Sequence, residues 1–461
     1  MSQFSSRITA LAMAVSVAYA THARAGIDTS PYDFPSRRSL AAANCADNGT
    51  GTLRQLLKDA EDGDVIHTAC STISLTTGAM VTTAPNVSIV GDATNPTKIL
   101  GNYSDNILIH AKGSQGTVYD GVLLLNNVVV VQGYANDAFG GACLFSQGSV
   151  TLVNSRVSQC QLSSTRDEVG NIGGAAIFAS NRVKLYGSSV TDSQSTATHE
   201  AAHGGAIRGR IVYLLPALDS QGRYIPGTGS TVSRSHAYST YAPGLGGCVY
   251  ATSAFFSLYS TVYGCKGTDV GGVSTGAAVV VGSTIADNAA TNNLSGVGGL
   301  QATTGGGVYF FNSTVAFNSG STTGGVRILS NAIRPKFYNN IFSNSSKYSG
   351  VAWNDLSSPA TIVGSGNIIV DVTTFTQLPS DTIRSDPGLG LFANHGGSTL
   401  TFLPSAPFAF GKLKPKPPPG NGNLFKKLFS PPGFDQRGIP RPAGSSGDFG
   451  SVQDTIFNDS D

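Results

Sequence analysis

Short apolar segments alternate along the chain with segments rich in Gly, Ser, Thr and Asn, and one such pattern keeps returning. It is clearest at residues 313–318, which read Ser-Thr-Val-Ala-Phe-Asn. Its branched residue recurs at intervals of 23 to 42 residues, as Val157, Val190, Val232, Val262, Ile285, Val315 and Ile341. A Gly-Gly pair followed by a small or branched residue precedes most copies, beginning at positions 140, 173, 204, 246 and 306. Internal repeats of this length are typical of solenoids.

The repeated pattern predicts short parallel strands rather than helices. β-branched residues dominate its apolar positions, and no helical apolar spacing runs through it. We therefore predict an all-β fold, a right-handed parallel β-helix, in which the longer intervals include surface loops. Small polar side chains three positions after the branched residue can stack and satisfy the backbone of the turns. These residues are Cys160, Ser193, Ser235, Cys265, Asn288, Asn318 and Asn344.

An amphipathic helix is predicted ahead of the repeats. Residues 51–60 place Leu53, Leu56, Leu57 and Ala60 on one helical face. A helix laid over the open end of the first repeat hides the unpaired edge of its strand. We therefore expect an N-terminal helix cap.

The chain is predicted to consist of a leader and one elongated domain. Residues 1–25 combine a basic Arg7, a short apolar stretch and small residues at Ala23 and Ala25, which is typical of a cleaved secretory signal peptide. That stretch is too short to span a membrane, so we expect no transmembrane segment after cleavage. We assign 26–75 to an N-terminal segment with the helix cap, 76–370 to the β-helix and 371–461 to a C-terminal closing segment. The mature protein is then secreted or surface-associated.

Composition and charge agree with a secreted solenoid. The 57 glycines among 461 residues suit frequent tight turns, and only 12% of residues are charged. The formal charge is +2, and loss of the leader with its two arginines leaves equal numbers of acids and bases. A neutral chain argues against nucleic acid as the partner.

Six cysteines fall into three pairs with short separations. These are Cys45 with Cys70, Cys143 with Cys160, and Cys248 with Cys265, and the last two pairs share a spacing of 17. Six cysteines allow 15 connectivities. The repeated spacing favours local disulfides, which an oxidising compartment permits. Metal ligation is the alternative, but no C-x-x-C pair is present.

Two segments resemble families of secreted bacterial proteins. Residues 44–66 resemble the start of β-helix proteins with a Cys-Ser-Leu-Arg-Glu-Ala signature, although Gly-Thr-Leu-Arg-Gln-Leu stands in its place at 51–56. The tail carries Asp-Pro-Gly-Leu at 386–389, Asp-Gln-Arg-Gly at 435–438 and Gly-Asp-Phe-Gly at 447–450. It is similar to the closing segment of choice-of-anchor Q proteins, a pectin-lyase-like group. The Gly-Gly phrases also resemble repeats of polymorphic outer-membrane proteins. These resemblances imply a β-helix outside the cytoplasm and no particular reaction.

The tail contains one basic, proline-rich segment. Residues 411–433 hold five lysines and a run of three prolines at 417–419. Such a composition predicts an exposed, extended loop. Its lysines could contact an acidic polymer or lipid headgroups, and a solvated linker is the alternative.

Catalytic acids are sparse at equivalent repeat positions. A pectin-lyase-like hydrolase needs two carboxylates facing one bond, and a lyase of that type uses calcium. Asp192 and Asp287 both stand two residues after their branched residue, but their repeats are not neighbours. We assign no catalytic residue and expect no cofactor, with calcium kept only for the lyase alternative.

A zinc-protease pattern occurs once, in an unsuitable context. Residues 199–203 read His-Glu-Ala-Ala-His, which binds zinc when a helix places both imidazoles on one face. Gly204 and Gly205 follow directly, where a strand is expected. Ala206 and Gly209 also replace the Gly and His of the extended pattern. We interpret the pattern as a chance match in a loop and predict no metal site.

The longest interval carries the best ligand-binding candidates. Arg208, Arg210, Tyr213, Arg223 and Tyr224 lie in or beside its insertion. Insertions of solenoids tend to gather on the binding face, and aromatic rings beside guanidinium groups suit sugars and uronates. The alternative is a loop whose tyrosines cover the flank of the repeats.

The leading functional hypothesis is a non-catalytic adhesion or glycan-binding protein with a polysaccharide or cell-surface partner. A polysaccharide lyase or glycoside hydrolase is the first alternative, and a structural envelope or matrix component is the second. Acidic clusters on adjacent repeats would favour the enzyme. A flat polar face with exposed aromatic residues would favour the binding protein.

Overall fold

The computed structural model describes residues 37–112, 120–136, 138–166, 171–292, 294–303, 307–331, 334–343, 354–406, 434–441 and 448–452. This part of the chain is all-β, with one short helix, α1 (Leu53–Lys58). No helix in it is long and apolar enough to cross a membrane. The expected leader, 1–25, and the Lys- and Pro-rich segment, 411–433, lie outside the described residues, as does Asn344.

Among the described residues, the largest sheet has 19 strands, and we call it the long sheet. They are β1 (Ser39–Ala42), β2 (Asp64–Thr68), β4 (Met80–Thr82), β5 (Asn86–Val90), β7 (Leu108–His110), β8 (Val122–Asn126), β11 (Leu144–Ser146), β12 (Ser149–Val153), β16 (Ile177–Ala179), β17 (Arg182–Tyr186), β21 (Ile207–Leu215), β25 (Val249–Leu258), β28 (Val273–Val281), β31 (Leu300–Ala302), β32 (Val308–Phe311), β34 (Thr323–Ile328), β35 (Lys336–Tyr338), β37 (Asn354–Ser357) and β38 (Val363–Ser365).

Three smaller sheets accompany it. An eleven-stranded sheet holds β3 (Thr72–Ser74), β6 (Thr97–Leu100), β9 (Val128–Val131), β13 (Arg156–Ser158), β18 (Ser189–Thr191), β22 (Thr231–Ser233), β26 (Thr261–Tyr263), β29 (Thr284–Ala286), β33 (Thr314–Ala316), β36 (Ile341–Ser343) and β39 (Ile368–Ile369). A six-stranded sheet holds β10 (Tyr134–Asn136), β14 (Gln161–Ser164), β19 (Gln194–Ala197), β23 (His236–Ser239), β27 (Lys266–Gly267) and β30 (Ala289–Ala290). A three-stranded sheet holds β15 (Asn171–Ile172), β20 (Ala201–His203) and β24 (Gly244–Leu245).

Strands pair in parallel with their counterparts in the next repeat. Val157 pairs with Val190, Val190 with Val232, and Val232 with Val262. These branched residues are fully buried in one core that runs through the sheets. In the part of the chain that the structure describes, parallel pairing begins at Ser39, where β1 pairs with β2. The described chain is therefore an all-β protein of stacked parallel strands, as the repeated pattern predicts.

The last predicted repeat position is off by one residue. Val315 pairs with Phe342, whereas Ile341 pairs with Thr314. Phe342 enters the main core, and Ile341 packs with Ile368 and Phe449 in a separate cluster. Counting branched residues missed this because an aromatic ring fills the core position in that repeat.

Two turn positions adopt the left-handed conformation in successive repeats. After strands of the long sheet the residues are Asn127, Asn154, Gly187, Tyr259, Gly282, Asn312, Asn339 and Gly366, with φ between 46° and 64°. After strands of the eleven-stranded sheet they are Gln132, Gln159, Asp192, Arg234, Gly264, Asp287 and Phe317, with φ between 48° and 66°. Gly, Asn and Asp tolerate this conformation best, which explains their frequency at these turns.

Small polar side chains form two buried ladders. In the predicted ladder the Ser193 amide donates to the Ser235 side chain at 3.2 Å, and the Asn288 amide donates to Asn318 at 3.1 Å. The expected stacking is thus confirmed for these residues. A second ladder lies one turn earlier. In it, the backbone N–H of each member donates to the side chain of the equivalent residue in the next repeat. Its members are Ser155, Ser188, Ser230, Ser260, Ser283, Ser313, Asn340 and Asn367.

All six cysteines form disulfides with the predicted local connectivity. Cys45 bonds Cys70, Cys143 bonds Cys160, and Cys248 bonds Cys265. In the last two pairs one cysteine directly precedes a strand of the long sheet, and its partner follows a strand of the eleven-stranded sheet. Each of these disulfides therefore joins two walls of one repeat through the core.

The predicted helix is present but shorter than the pattern suggested. Helix α1 begins after Thr52, whose hydroxyl accepts from the Gln55 amide at 3.3 Å. Leu53 and Leu57 are fully buried, whereas Leu56 and Ala60 are only half-buried against the core. The helix packs beside β1, β2 and β4, at the first strands of the long sheet.

The tail lies along the outer surface of the eleven-stranded sheet. Gln436 is fully buried, and its amide donates to Thr261 at 2.6 Å and accepts from Thr284 at 2.7 Å. The Ser451 amide donates to Thr314 at 3.0 Å. The tail motif around Gln436 therefore forms hydrogen bonds with successive threonines on the outside of the repeats, which gives this motif a structural role.

Candidate functional site

One line of side chains runs along the outside of the long sheet across successive repeats. Phe145 pairs with Phe178, Phe178 with Arg208, and Arg208 with Tyr250. The strand residues preceding them are fully buried, so the line itself faces outward. We call it the outer row: Val81, Ile109, Phe145, Phe178, Arg208, Tyr250, Ser274, Gln301, Arg327 and Ser357. Ser274 and Ser357 share this register but are buried. The row changes from apolar and aromatic to polar and cationic, and it contains no acid.

The centre of the outer row combines aromatic rings with a guanidinium group. The rings of Phe145 and Phe178 stack with centroids 5.2 Å apart. The Arg208 guanidinium lies 5.5 Å from the Phe178 centroid and donates to the main-chain oxygen of Asn171 at 3.0 Å. Burial lowers the pKa of Arg208, but a guanidinium stays charged in proteins. Among the described residues Arg208 forms no ion pair, so its half-buried charge has no carboxylate to balance it.

His203 extends this aromatic region. Its ring stacks on Tyr250 with centroids 4.3 Å apart, and its Nδ1 is buried without a hydrogen-bond partner. Burial, with a smaller contribution from the charge of Arg208, lowers the pKa of His203 to about 4. His203 is therefore a neutral ring at physiological pH.

The H-E-x-x-H segment has no helical geometry. His203 lies in β20, and residues 198–200 form a bend. The Glu200 carboxylate accepts from the Ser164 hydroxyl, and the exposed His199 ring stacks on Tyr241. An extended segment does not place the two imidazoles on one helical face. Across the described residues, no group of three or more His, Cys, Asp and Glu could hold a metal ion.

A small cavity opens beside the apolar end of the outer row. Its volume is about 210 Å³, and its walls are formed by Asn106, Ile109, Ala111, Ala138, Phe139, Gly140, Phe145 and Gln147. Phe139 is 45% exposed at its mouth. The cavity thus joins apolar walls to two side-chain amides, which is the composition of a small-ligand site.

A larger and more open depression of about 460 Å³ lies at the C-terminal end of the long sheet. Ile362, Val363, Gly364 and residues 379–381 line it. Its one charged residue, Asp381, already accepts from the Gly366 amide at 3.0 Å. With neither an aromatic ring nor a cation, it is the weaker candidate for ligand binding.

The six-stranded sheet presents a flat polar face. Side chains alternate along its strands, and the outward ones are Tyr134, Asn136, Gln161, Ser163, Gln194, Thr196, His236 and Tyr238. Tyr238 is 51% exposed. Some of the polar groups already bond each other, as Ser163 does when it donates to Asn136 at 2.8 Å. This polar face is the kind of surface expected of a binding protein.

The five predicted ligand-binding residues do not form one site. Arg208 belongs to the outer row, and Arg210 lies two residues on at a β-bulge, where it donates to Asn181. Tyr213 stacks on Phe256 in the other half of β21. Tyr224 packs with Tyr213 in an apolar cluster, and Arg223 pairs with Asp219 at 2.8 Å in the loop. Of these five residues, only Arg208 therefore lies on the outer row, which we identify as the candidate site.

The two candidate acids occupy turns. Asp192 and Asp287 both adopt left-handed conformations, and three steps of strand pairing separate their repeats. At 4.7–4.9 Å per strand the separation is about 14 Å, beyond the upper limit of about 9.5 Å for an inverting pair. A hydrogen bond from Arg234 lowers the pKa of Asp192, whereas burial raises the pKa of Asp287. These carboxylates do not face one bond.

Sequence reasoning missed most of the outer row, although a signal was present. Phe145, Phe178, Arg208 and Tyr250 each stand directly after the Leu, Ile or Val that follows a Gly-Gly phrase. The glycines mark the turn before each strand, and the branched residue enters the core. Because successive side chains of a strand point to opposite faces of the sheet, the residue after the branched one must face outward. Aligning those next residues would have revealed the row.

Comparison with known proteins identifies no relative. No protein-family model matches the chain, and neither a curated protein nor a solved structure is significantly similar to it. The resemblance to choice-of-anchor Q and related secreted proteins therefore stays a prediction.

Proposed function

We propose that this chain is a secreted right-handed parallel β-helix that binds glycans along its outer row without cleaving them. Parallel strands that pair from repeat to repeat support the helical architecture, and parallel crossover connections are almost always right-handed. Three disulfides fit an oxidising compartment outside the cytoplasm.

The single observation that carries the proposal is that the outer row presents an accessible side chain on every successive strand from Val81 to Tyr250. Neighbouring strands lie 4.7–4.9 Å apart, so the row repeats a side chain at that interval. This interval is close to the length of one sugar unit in an extended polysaccharide. A glycan lying along the row would therefore meet equivalent side-chain positions with successive sugars.

The charge of the row favours glycans that carry anionic groups. Arg208 and Arg327 lie four strands apart in the row, which is about 19 Å. Of the residues between them, Tyr250 and Gln301 offer a ring and an amide at the surface, whereas Ser274 is buried. Guanidinium groups bind carboxylates and sulfates in two-point geometry. A polyanionic chain can thus contact both arginines at once.

The experiment incubates the mature protein with a panel of acidic and neutral polysaccharides, with and without calcium. Bound protein and newly formed chain ends are scored together. We expect retention without new ends, and weaker binding of acidic glycans by Arg208→Ala, by about tenfold or more, because a charge-assisted hydrogen bond is lost. The exposed Arg384→Ala serves as the matched control.

Each outcome decides between the alternatives. New chain ends would show that the protein cleaves the glycan, and it would then be a polysaccharide lyase or glycoside hydrolase rather than a non-catalytic binding protein. Absence of both binding and cleavage would leave the structural envelope or matrix role. If Arg208→Ala and Arg384→Ala weaken glycan binding equally, the outer row is not the binding site, because a diffuse effect of charge would then explain the binding.

A further inference from the structure

The cavity at the apolar end of the outer row points to a particular chemical group on the ligand. The inference rests on the proposed glycan binding. Ile109 and Phe145 belong both to the outer row and to the cavity wall, so a glycan lying on the row passes its mouth. A substituent of one of its sugars can therefore enter the cavity.

The size of the cavity suits a substituent better than a whole ligand. Pockets for drug-sized molecules have volumes of about 300–1,000 Å³, whereas this cavity holds about 210 Å³. Phe139, 45% exposed, and the half-buried Ala138 border it on the solvent side. A group that projects from a sugar ring can enter while the ring itself remains on the surface.

The apolar part of the cavity lining disfavours a hydroxyl group. Ile109, Ala111, Ala138, Phe139 and Phe145 supply only carbon atoms from their side chains. A sugar hydroxyl placed among them would lose its water without gaining a partner, which is unfavourable. A methyl group placed there loses nothing and gains contacts.

Two amides at the cavity supply the polar part of the recognition. The Asn106 amide donates to the main-chain oxygen of Gly141 at 2.8 Å, which fixes its orientation and leaves its Oδ1 as an acceptor. The Gln147 Oε1 accepts from the Lys112 amide at 2.8 Å, which holds that buried side chain in place. The cavity thus combines an apolar wall for a methyl group with an amide acceptor for an N–H group.

We propose that this cavity binds the acetamido group of an N-acetylated sugar. That group carries one methyl, one N–H and one carbonyl. The methyl contacts Ile109, Ala111 and Phe145, and the N–H donates to Asn106 Oδ1. The cavity therefore selects glycans with N-acetylated units among those that the outer row can hold.

The test compares two hexasaccharides that share one backbone and differ only in the group on C2. The chitin hexasaccharide carries acetamido groups, and the cellulose hexasaccharide carries hydroxyls. Binding of each to the full mature chain is measured by titration calorimetry. We expect the chitin hexasaccharide to bind about tenfold tighter or more, the preference that an apolar pocket gives for a group that fills it.

Variants that fill the cavity supply the second arm. Ala111→Leu places a larger side chain into the space, and it should abolish the preference by lowering the affinity for the chitin hexasaccharide about tenfold or more. Ala138→Leu repeats the test from another wall in case the first variant fails to fold. Leu391→Ala, at an 83% exposed residue of the tail, is the control and should keep the preference.

The outcomes separate this inference from the proposed function. Equal affinity for both hexasaccharides, or a preference that survives both cavity-filling variants, overturns the acetamido site and leaves glycan binding in place. Binding of acidic glycans alone has the same consequence. Preference for a 6-deoxy sugar over both hexasaccharides also overturns it, because a methyl group alone would then account for the selection. Failure to bind any glycan in the wider panel overturns the proposed function itself.

Discussion

Removing the acceptor of one asparagine in the second ladder tests how the repeats are held together. Asn340 is fully buried, and its Oδ1 accepts from the Ser313 amide at 3.0 Å. Its Nδ2 donates to the carbonyl of Phe310 and to Asn367, each at 2.9 Å. We therefore compare Asn340→Leu, which is nearly isosteric but apolar, with Asn340→Ser, which restores the residue type found in the preceding repeats.

The structure sets the size of the expected effect. Asn340→Leu leaves the buried Ser313 N–H without its acceptor, which costs about 1–3 kcal/mol, and removes the two hydrogen bonds that Nδ2 donates, each with a net value of about 0.5–1.5 kcal/mol. The free energy of unfolding should fall by about 2–6 kcal/mol. Asn340→Ser keeps an acceptor for Ser313, as Ser313 itself does for Ser283. Its cost should stay below about 1.5 kcal/mol, the net value of one hydrogen bond.

Urea unfolding followed by far-ultraviolet circular dichroism measures both variants under non-reducing conditions. Hydrogen exchange at the Ser313 amide adds a local measurement, since protection there should fall in the Leu variant and persist in the Ser variant. Equal stability of the two variants within about 0.5 kcal/mol, the usual spread of surface changes, would refute the ladder as a source of stability.

Three further predictions concern pH, the disulfides and the tail. Burial lowers the pKa of His110 from 6.5 to about 4, so the unfolded chain takes up the proton first and stability falls as pH drops between these values. When unfolding is measured as a function of pH, the loss of stability on acidification should be about 3 kcal/mol smaller in His110→Gln than in the unmodified protein, and an equal loss in both would contradict this. Replacing Cys143 and Cys160 together by Ser should lower the unfolding free energy by about 3 kcal/mol, as expected for a short closed loop, and unchanged urea midpoints would contradict this. Gln436→Leu should make the tail more sensitive to limited proteolysis because the hydrogen bonds of Gln436 with Thr261 and Thr284 are lost, whereas an unchanged cleavage rate would show that the other contacts of the tail hold it.

The repeated pattern predicted the strands well because each repeat follows the same local rules. The branched residue enters the core, a small polar residue closes the turn, and a left-handed residue such as Asp192 stands between them. The same regularity predicted the disulfides, since Cys143 and Cys248 occupy equivalent positions. The pattern failed at Phe342, where a ring replaces the branched residue and shifts the register by one.

The candidate site was harder to predict because it depends on contacts between repeats. Arg208 was identified from residue type, but Phe178 and Tyr250 become its neighbours only through parallel pairing. Tyr213 and Tyr224 pack in an apolar cluster, which fits the alternative that these tyrosines cover the flank of the repeats. Asp192 and Asp287 lie too far apart for one bond because register fixes the spacing of equivalent residues.

The most direct test of the central claim is a crystal structure of the mature chain with the oligosaccharide that it binds best. The account predicts a glycan lying along the outer row, parallel to the stacking direction, with contacts to Arg208 and Tyr250. A glycan bound instead on the polar face of the six-stranded sheet, around Tyr238, would contradict the assignment of the site to the outer row.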